Sequence, residues 1–255
     1  MTVEKSFLSD DITIRYSDTG AGTPIVLIHG FSANHEMWSV FPDLEGFRLI
    51  KIDCRGHGAS DKPTNASDYG MKMVEDVRCL FDELQISQAH LVGYSMGAEI
   101  SIQFTTLYPG LVLSLTAGGS GWSQNIDAGN YNMLSRSLIE TGSFESVMRG
   151  MSPDMSDEAI ALANSLIGGQ DPVVLAAVAG AMHQIICLSH DAFSNCHFPV
   201  LGISGELDPE RGNVERLAEV FPDFTLRIIG EADHMSALSE PLFYESVKKF
   251  LTGSE

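Results

Sequence analysis

The sequence predicts an α/β fold: a doubly wound, mostly parallel sheet with an inserted helical cap. Three observations predict it. Short continuous apolar runs recur along the 255 residues, as strands buried on both faces require. Amphipathic helical stripes separate several of these runs, and the alternation implies crossover connections with helices on both sheet faces. Between Gly118 and His197 the alternation stops and only helix-like stretches remain.

Taken in order, Lys5 to Asp18 alternates around Asp10-Asp11 and reads as a hairpin. Pro24–Ile28 is the first continuous run and stops at His29-Gly30. Five more runs follow, at Phe47–Ile52, Ala89–Val92, Leu111–Thr116, Val200–Ser204 and Thr225–Ile229. Met71 to Leu84 carries apolar residues at 73, 74, 77, 80, 81 and 84, a stripe of helical period. Met96–Leu107, Val214–Val220 and Pro241–Leu251 are the other core helices, and Pro109 closes the first of them. The insert should hold helices near Tyr131–Glu140, Phe144–Met151, Asp157–Leu166 and Pro172–Ser189. The expected organisation is therefore a core of residues 1–118 and 198–255 with a cap over 119–197. Gly118-Gly119-Ser120-Gly121 is its hinge candidate. Met133, Met148, Met151, Met155 and Met182 fall in the insert, as core filling or as a pliable pocket wall.

Composition removes several function classes. Hydrophobic residues are 44% and charged residues 19% of the chain, which excludes disorder. The net charge of −19 repels nucleic acid phosphates and anionic membranes. No apolar segment approaches the ~20 residues of a bilayer span. The start, MTVEKSFLSDDIT, has acidic residues where an export signal is apolar, so the expected location is cytoplasmic. The four cysteines form no CxxC pair, which points to free thiols in a reducing compartment. His183, His190 and His197 lie seven apart; on one helix that is about 10.5 Å of rise, too far for one zinc. No metal and no organic cofactor is expected.

The strongest chemical signal is Gly93-Tyr94-Ser95-Met96-Gly97, where a predicted strand gives way to a helix. A serine there sits on a sharp turn at the C-terminal edge of the sheet. It needs a base, and the base needs an orienting acid. His234 follows the last strand and Asp208 follows the strand Val200–Ser204, both on the edge where open α/β sheets bind ligands. Glu206 and Asp233 are nearby rivals to Asp208. Glu206 sits within the turn, and Asp233 adjoins the histidine, where reaching back to the imidazole is awkward. An acid after Leu111–Thr116 is the other arrangement, but no carboxylate occurs there until Asp127. Acyl transfer also needs N–H donors for an oxyanion. They should be Met96, directly after the nucleophile, and Phe31, on the loop after the first buried strand. The His29 side chain reads as a structural brace for that loop. Trp122 and Met182 are pocket candidates, with Trp122 equally readable as a packing anchor.

With these residues in place the chain resembles the alpha/beta-hydrolase superfamily, specifically its capped, serine-esterase-like members. The landmarks are PIVLIHGFSANHEMW (24–38), IDCRGHGAS (52–60), HLVGYSMG (90–97), PVLGISGELDP (199–209) and GEADHM (230–235). The resemblance implies catalytic Ser95, Asp208 and His234, oxyanion donors at Phe31 and Met96, and a structural role for Arg55 and His57. Serine at the elbow departs from epoxide hydrolases and haloalkane dehalogenases, which carry aspartate. Gly-Tyr-Ser-Met-Gly departs from the proline iminopeptidase pattern, and Phe31-Ser-Ala-Asn34 from the Gly-rich segment of carbon–carbon hydrolases. Enol-lactone hydrolases and cofactor-free haloperoxidases stay open. The expected function is hydrolysis of a small-molecule carboxylic ester. A lactonase or carbon–carbon bond hydrolase with the same triad is the alternative, followed by a receptor that has lost turnover.

Overall fold

The computed structural model describes residues 4–124, 129–145, 149, 156–165 and 170–253. Its centre is one eight-stranded sheet: β1 (Glu4–Ser9), β2 (Ile12–Gly20), β3 (Thr23–Ile28), β4 (Phe47–Asp53), β5 (Ala89–Tyr94), β6 (Val112–Gly118), β7 (Val200–Gly205) and β8 (Phe224–Ile229). The spatial order is β1-β2-β4-β3-β5-β6-β7-β8. β1 and β2 pair antiparallel as the expected hairpin, and β2 pairs antiparallel with β4. From β4 to β8 every pairing is parallel. Asp10 and Asp11 both have positive φ, as a two-residue hairpin turn with the right twist demands.

The helices are α1 (Met71–Glu83), α2 (Met96–Leu107), α3 (Gly129–Thr141), α4 (Asp157–Ser165), α5 (Pro172–Ala181), α6 (His183–Ile186), α7 (Arg211–Glu215) and α8 (Pro241–Thr252). They cover both faces. Val26 and Ile28 of β3 join α1 and α2 residues such as Val77 and Ile102 on one side. Ile25 and Leu27 meet Trp38, Phe41 and the α8 residues Phe243 and Val247 on the other. A strand buried on both faces loses the polar-apolar alternation, so its sequence reads as one continuous run.

Several boundaries differ from the sequence expectation. Thr225–Arg227 of β8 are exposed, because β8 is the sheet edge with no neighbour on one side. The helix expected at Val214–Val220 starts at Arg211 and tightens into a 3₁₀ turn at Arg216–Glu219. The stretch Pro172–Ser189 breaks at Met182, just after Gly180, a weak helix former. The insertion between β6 and β7 is helical where described, and α3 packs on α5 through Leu138, Leu175 and Ala176. Met133 is exposed there and Met182 buried; Met148, Met151 and Met155, most of the Phe144–Met151 helix and Asp127 lie outside the described residues. The hinge candidate is pinned. Gly119 N–H donates to Ile203 O at 2.9 Å and Trp122 N–H to Asn213 O at 3.0 Å. A Cβ on Gly121 would collide with the Asn213 carbonyl, so glycine there permits a close backbone contact.

Candidate active site

The site is built at the C-terminal ends of β3, β5, β7 and β8. β5 ends at Tyr94 and α2 begins at Met96, leaving Ser95 alone on the turn with φ 54° and ψ −121°. A non-glycine residue at positive φ costs on the order of 1–3 kcal/mol and is retained where the surroundings over-determine it. The surroundings here are backbone. A Cβ on Gly93 would strike the Gly97 carbonyl, and one on Gly97 would strike the Ile28 carbonyl. Ser95 N–H donates to Gly118 O at 2.8 Å, tying the turn to β6.

His234 reaches Ser95 from the loop after β8. Its Nε2 lies 3.0 Å from Ser95 Oγ and its Nδ1 lies 3.0 Å from Asp208 Oδ2. Asp208 is buried, and its other oxygen accepts the Glu210 N–H at 2.9 Å. With Asp208 accepting, Nδ1 carries the proton and Nε2 presents its lone pair to the hydroxyl. Burial acts to lower the His234 pKa. The Asp208 hydrogen bond and charge outweigh it, with Glu210 and Glu99 adding, and the net shift is upward from 6.5.

The rival carboxylates are engaged elsewhere. Glu206 Oε2 accepts the Glu231 N–H at 3.0 Å. Asp233 Oδ1 accepts the N–H groups of Met235 and Ser236 at 3.0 and 2.8 Å, shaping the loop that carries His234. These bonds to Ser236 hold the Asp233 carboxyl below its usual range.

Of the two expected oxyanion donors, Met96 opens α2, where first-turn N–H groups have no partner within the helix. The Phe31 loop runs past the nucleophile, since a Cβ on Gly30 would sit 3.5 Å from Ser95 Cβ. His29 braces this loop. Its Nδ1 donates to Gly30 O at 2.7 Å and its Nε2 accepts the Cys54 N–H at 3.0 Å. Burial lowers the pKa of His29, and it takes His57 down to about 3; a His29 ring that accepts at Nε2 is a neutral one. Arg55 is buried and makes a two-pronged bond to Asp76, at 2.6 and 2.5 Å, with a third bond to the Asp68 carbonyl.

Trp122 and Met182 are 2% and 0% exposed. Trp122 donates its indole N–H to Leu188 O at 2.9 Å and packs edge-on to Phe193. Both side chains are buried; the Trp122 side chain packs within the insertion, while its backbone N–H ties it to Asn213 of the core.

Two participants escaped the sequence reading. Tyr94 Oη donates to the His234 carbonyl at 2.6 Å, and the two rings lie 5.5 Å apart. The residue before Ser95 thus ties down the loop that carries His234. Glu99, one turn beyond Ser95 on α2, accepts from Ser120 Oγ at 3.1 Å and Tyr131 Oη at 2.6 Å. Burial raises its carboxyl to about 7 against the opposing pull of these two bonds. The signal was available: Glu99 is the lone charge in MGAEISIQFTTL, on an otherwise buried helix and one turn from the serine.

Comparison with known proteins agrees with this architecture. A family model described as alpha/beta hydrolase fold matches residues 23–154. A Bacillus subtilis (strain 168) protein named "Putative 2-succinyl-6-hydroxy-2,4-cyclohexadiene-1-carboxylate synthase" is 28% identical over 96% of this chain and 97% of its own. A 2-hydroxy-6-oxononadienedioate/2-hydroxy-6-oxononatrienedioate hydrolase of Escherichia coli (strain K12) is 34% identical over 43% of this chain and 41% of its own. Among solved structures, a chain from a study of carboxylesterases of the Thaumarchaeon Nitrososphaera gargenis superposes with a TM-score of 0.80 at 22% identity, covering 98% of both chains. Fold, elbow and family match converge, and the chain belongs to the alpha/beta hydrolase fold family, a family of hydrolase enzymes.

Proposed function

We propose that this protein is a serine hydrolase that cleaves carboxylic esters of small to medium acyl chains. The hydrogen-bonded series Ser95–His234–Asp208, 3.0 Å at each link, carries the reading. Ser95 Oγ attacks the acyl carbon while His234 Nε2 takes its proton. The N–H groups of Phe31 and Met96 hold the oxyanion, each worth about 3–4 kcal/mol at the transition state. The tetrahedral adduct then collapses, and His234 returns the proton to the departing alcohol. A water molecule gives its proton to His234 and attacks the acyl-enzyme, and the carboxylic acid leaves as Ser95 is reprotonated. Asp208 holds the imidazole in the Nδ1–H tautomer and stabilises the imidazolium. The helices of residues 119–197 act as a cap over this site. No disulfide joins any of the four cysteines, which fits a cytoplasmic enzyme.

Steady-state turnover of p-nitrophenyl esters from acetate to dodecanoate, wild type against Ser95→Ala, tests the reading. Serine-dependent turnover with a chain-length optimum is expected. A folded protein inert on the whole series would contradict it. A lactone or carbon–carbon substrate is the second reading, since the same three groups serve those reactions. It is favoured by a 27% identical structural neighbour, Est816, described as an N-acyl homoserine lactone degrading enzyme, with a TM-score of 0.73 and coverage of 98% of this chain and 100% of its own.

A further inference from the structure

We propose that Glu99 is a specificity-determining residue, a fixed carboxylate beside His234 that turns away acyl groups bearing a negative charge and admits neutral or cationic ones. The inference rests on the serine-hydrolase reading of Ser95. It stands on geometry. Glu99 follows Ser95 by one turn of α2. Ser120 Oγ holds one of its oxygens, and the neighbouring residue, Gly119, backs the catalytic ring, since a Cβ there would lie 3.1 Å from His234 Cε1. Tyr131 Oη, from the insertion, holds the other oxygen. The carboxylate is thereby clamped from core and insertion at the margin of the reacting groups, and it is only partly shielded from solvent.

The charged and titratable groups around Glu99 are Tyr131 from α3, Glu210 from the loop before α7 and His234 from the loop after β8. Of these only His234 becomes a cation, when its imidazole is protonated, and no Lys or Arg is among them; Asp208 adds negative charge on the far side of His234. An anionic tail entering this site meets like charge at short range in a partly dry medium, where discrimination on the order of tenfold or more is expected. With Glu99 held near 7, the filter strengthens as the carboxylate ionises.

The test compares three p-nitrophenyl esters of one length: the hexanoate, the adipate half-ester and the ω-trimethylammonio hexanoate. The reading is the ratio of kcat/KM between tails within each enzyme, so changes in overall rate cancel. In the wild type the adipate half-ester should fall about tenfold or more below the other two. Glu99→Gln should bring the three within about threefold. The wild-type ratio should widen from about pH 6 to about pH 8, where Glu99 ionises and the adipate tail is already charged. Tyr131→Phe, which keeps the carboxylate, should keep the discrimination. Equal rates for all three tails in the wild type, or undiminished discrimination in Glu99→Gln, would overturn the proposal. Should that variant not fold, a flat wild-type ratio across the same pH range would overturn it equally. Labelling of Ser95 by alkyl fluorophosphonates with the same tails separates the two readings. Tail-selective labelling without ester turnover would overturn the esterase reading and sustain this one. Absence of both turnover and labelling would overturn both.

Discussion

The C-terminal edge of the sheet and the helical insertion meet around Ser95, yet different interactions hold them. Every strand except β1 and β8 is hydrogen-bonded on both sides, and the loops bearing Ser95, Asp208 and His234 leave that ladder directly. The insertion has no strand among its described residues. Its helices hold together through apolar side chains such as Leu138, Phe144 and Leu175. Bonds such as Trp122 N–H to Asn213 O and Tyr131 Oη to Glu99 attach it to the core. A ladder fixes backbone positions closely enough for groups that must align within about half an ångström. Helix-on-helix packing tolerates changes of side-chain size and so suits a region that shapes a pocket. The comparison teaches that chemistry and selectivity can be separated by the kind of bonding that supports each.

The sharpest way to break that comparison is to remove chemistry without disturbing structure. Ser95→Ala should lower kcat/KM on p-nitrophenyl esters by about 10⁵-fold. Its thermal midpoint should stay near the wild-type value, because burial and the ladder hold the sheet. A variant with substantial residual turnover would remove Ser95 from the mechanism. Asp208→Asn should cost about 10³- to 10⁴-fold, by presenting the imidazole in the wrong tautomer. Circular dichroism would check that the overall fold survives the substitution.

Stability probes sharpen the contrast from the other side. Asp76→Asn leaves the Arg55 guanidinium buried without its ion pair, and should destabilise the core by about 3–5 kcal/mol in urea titrations. Ser135→Ala removes only the hydroxyl bond between α3 and the Ala176 carbonyl of α5, a loss of about 1 kcal/mol. Similar costs for both would show that the insertion is as tightly specified as the sheet.

The smallest expected effect is a displacement along the pH axis. The His234 pKa is raised from 6.5, burial being outweighed by Asp208 with help from Glu210 and Glu99. The base works in its neutral form, so turnover of a neutral ester should be full at high pH and fall as pH drops through an apparent value above 6.5. Glu99→Gln removes one of the raising charges and should move that limb to lower pH. A limb already at or below 6.5 in the wild type would mean that burial outweighs the Asp208 contact.

What the sequence determined by itself is local. Continuous apolar runs named the strands because burial on both faces leaves no polar position. The elbow named its serine because only glycines fit where the backbone of the turn touches itself and β3, at residues 93 and 97. Asp10-Asp11 named a hairpin because two adjacent positive φ values need residues that tolerate them. The tertiary structure decided what depends on distant partners. It gave Glu206 and Asp233 to loop backbone and left Asp208 for His234, and it set Gly121 in close contact with Asn213. It also buried Trp122 and set Glu99 against Tyr131 and Ser120. A side chain's period along the chain tells whether it faces inward. Which groups lie opposite it depends on elements far away in sequence, and those partners set its charge, its contacts and its role.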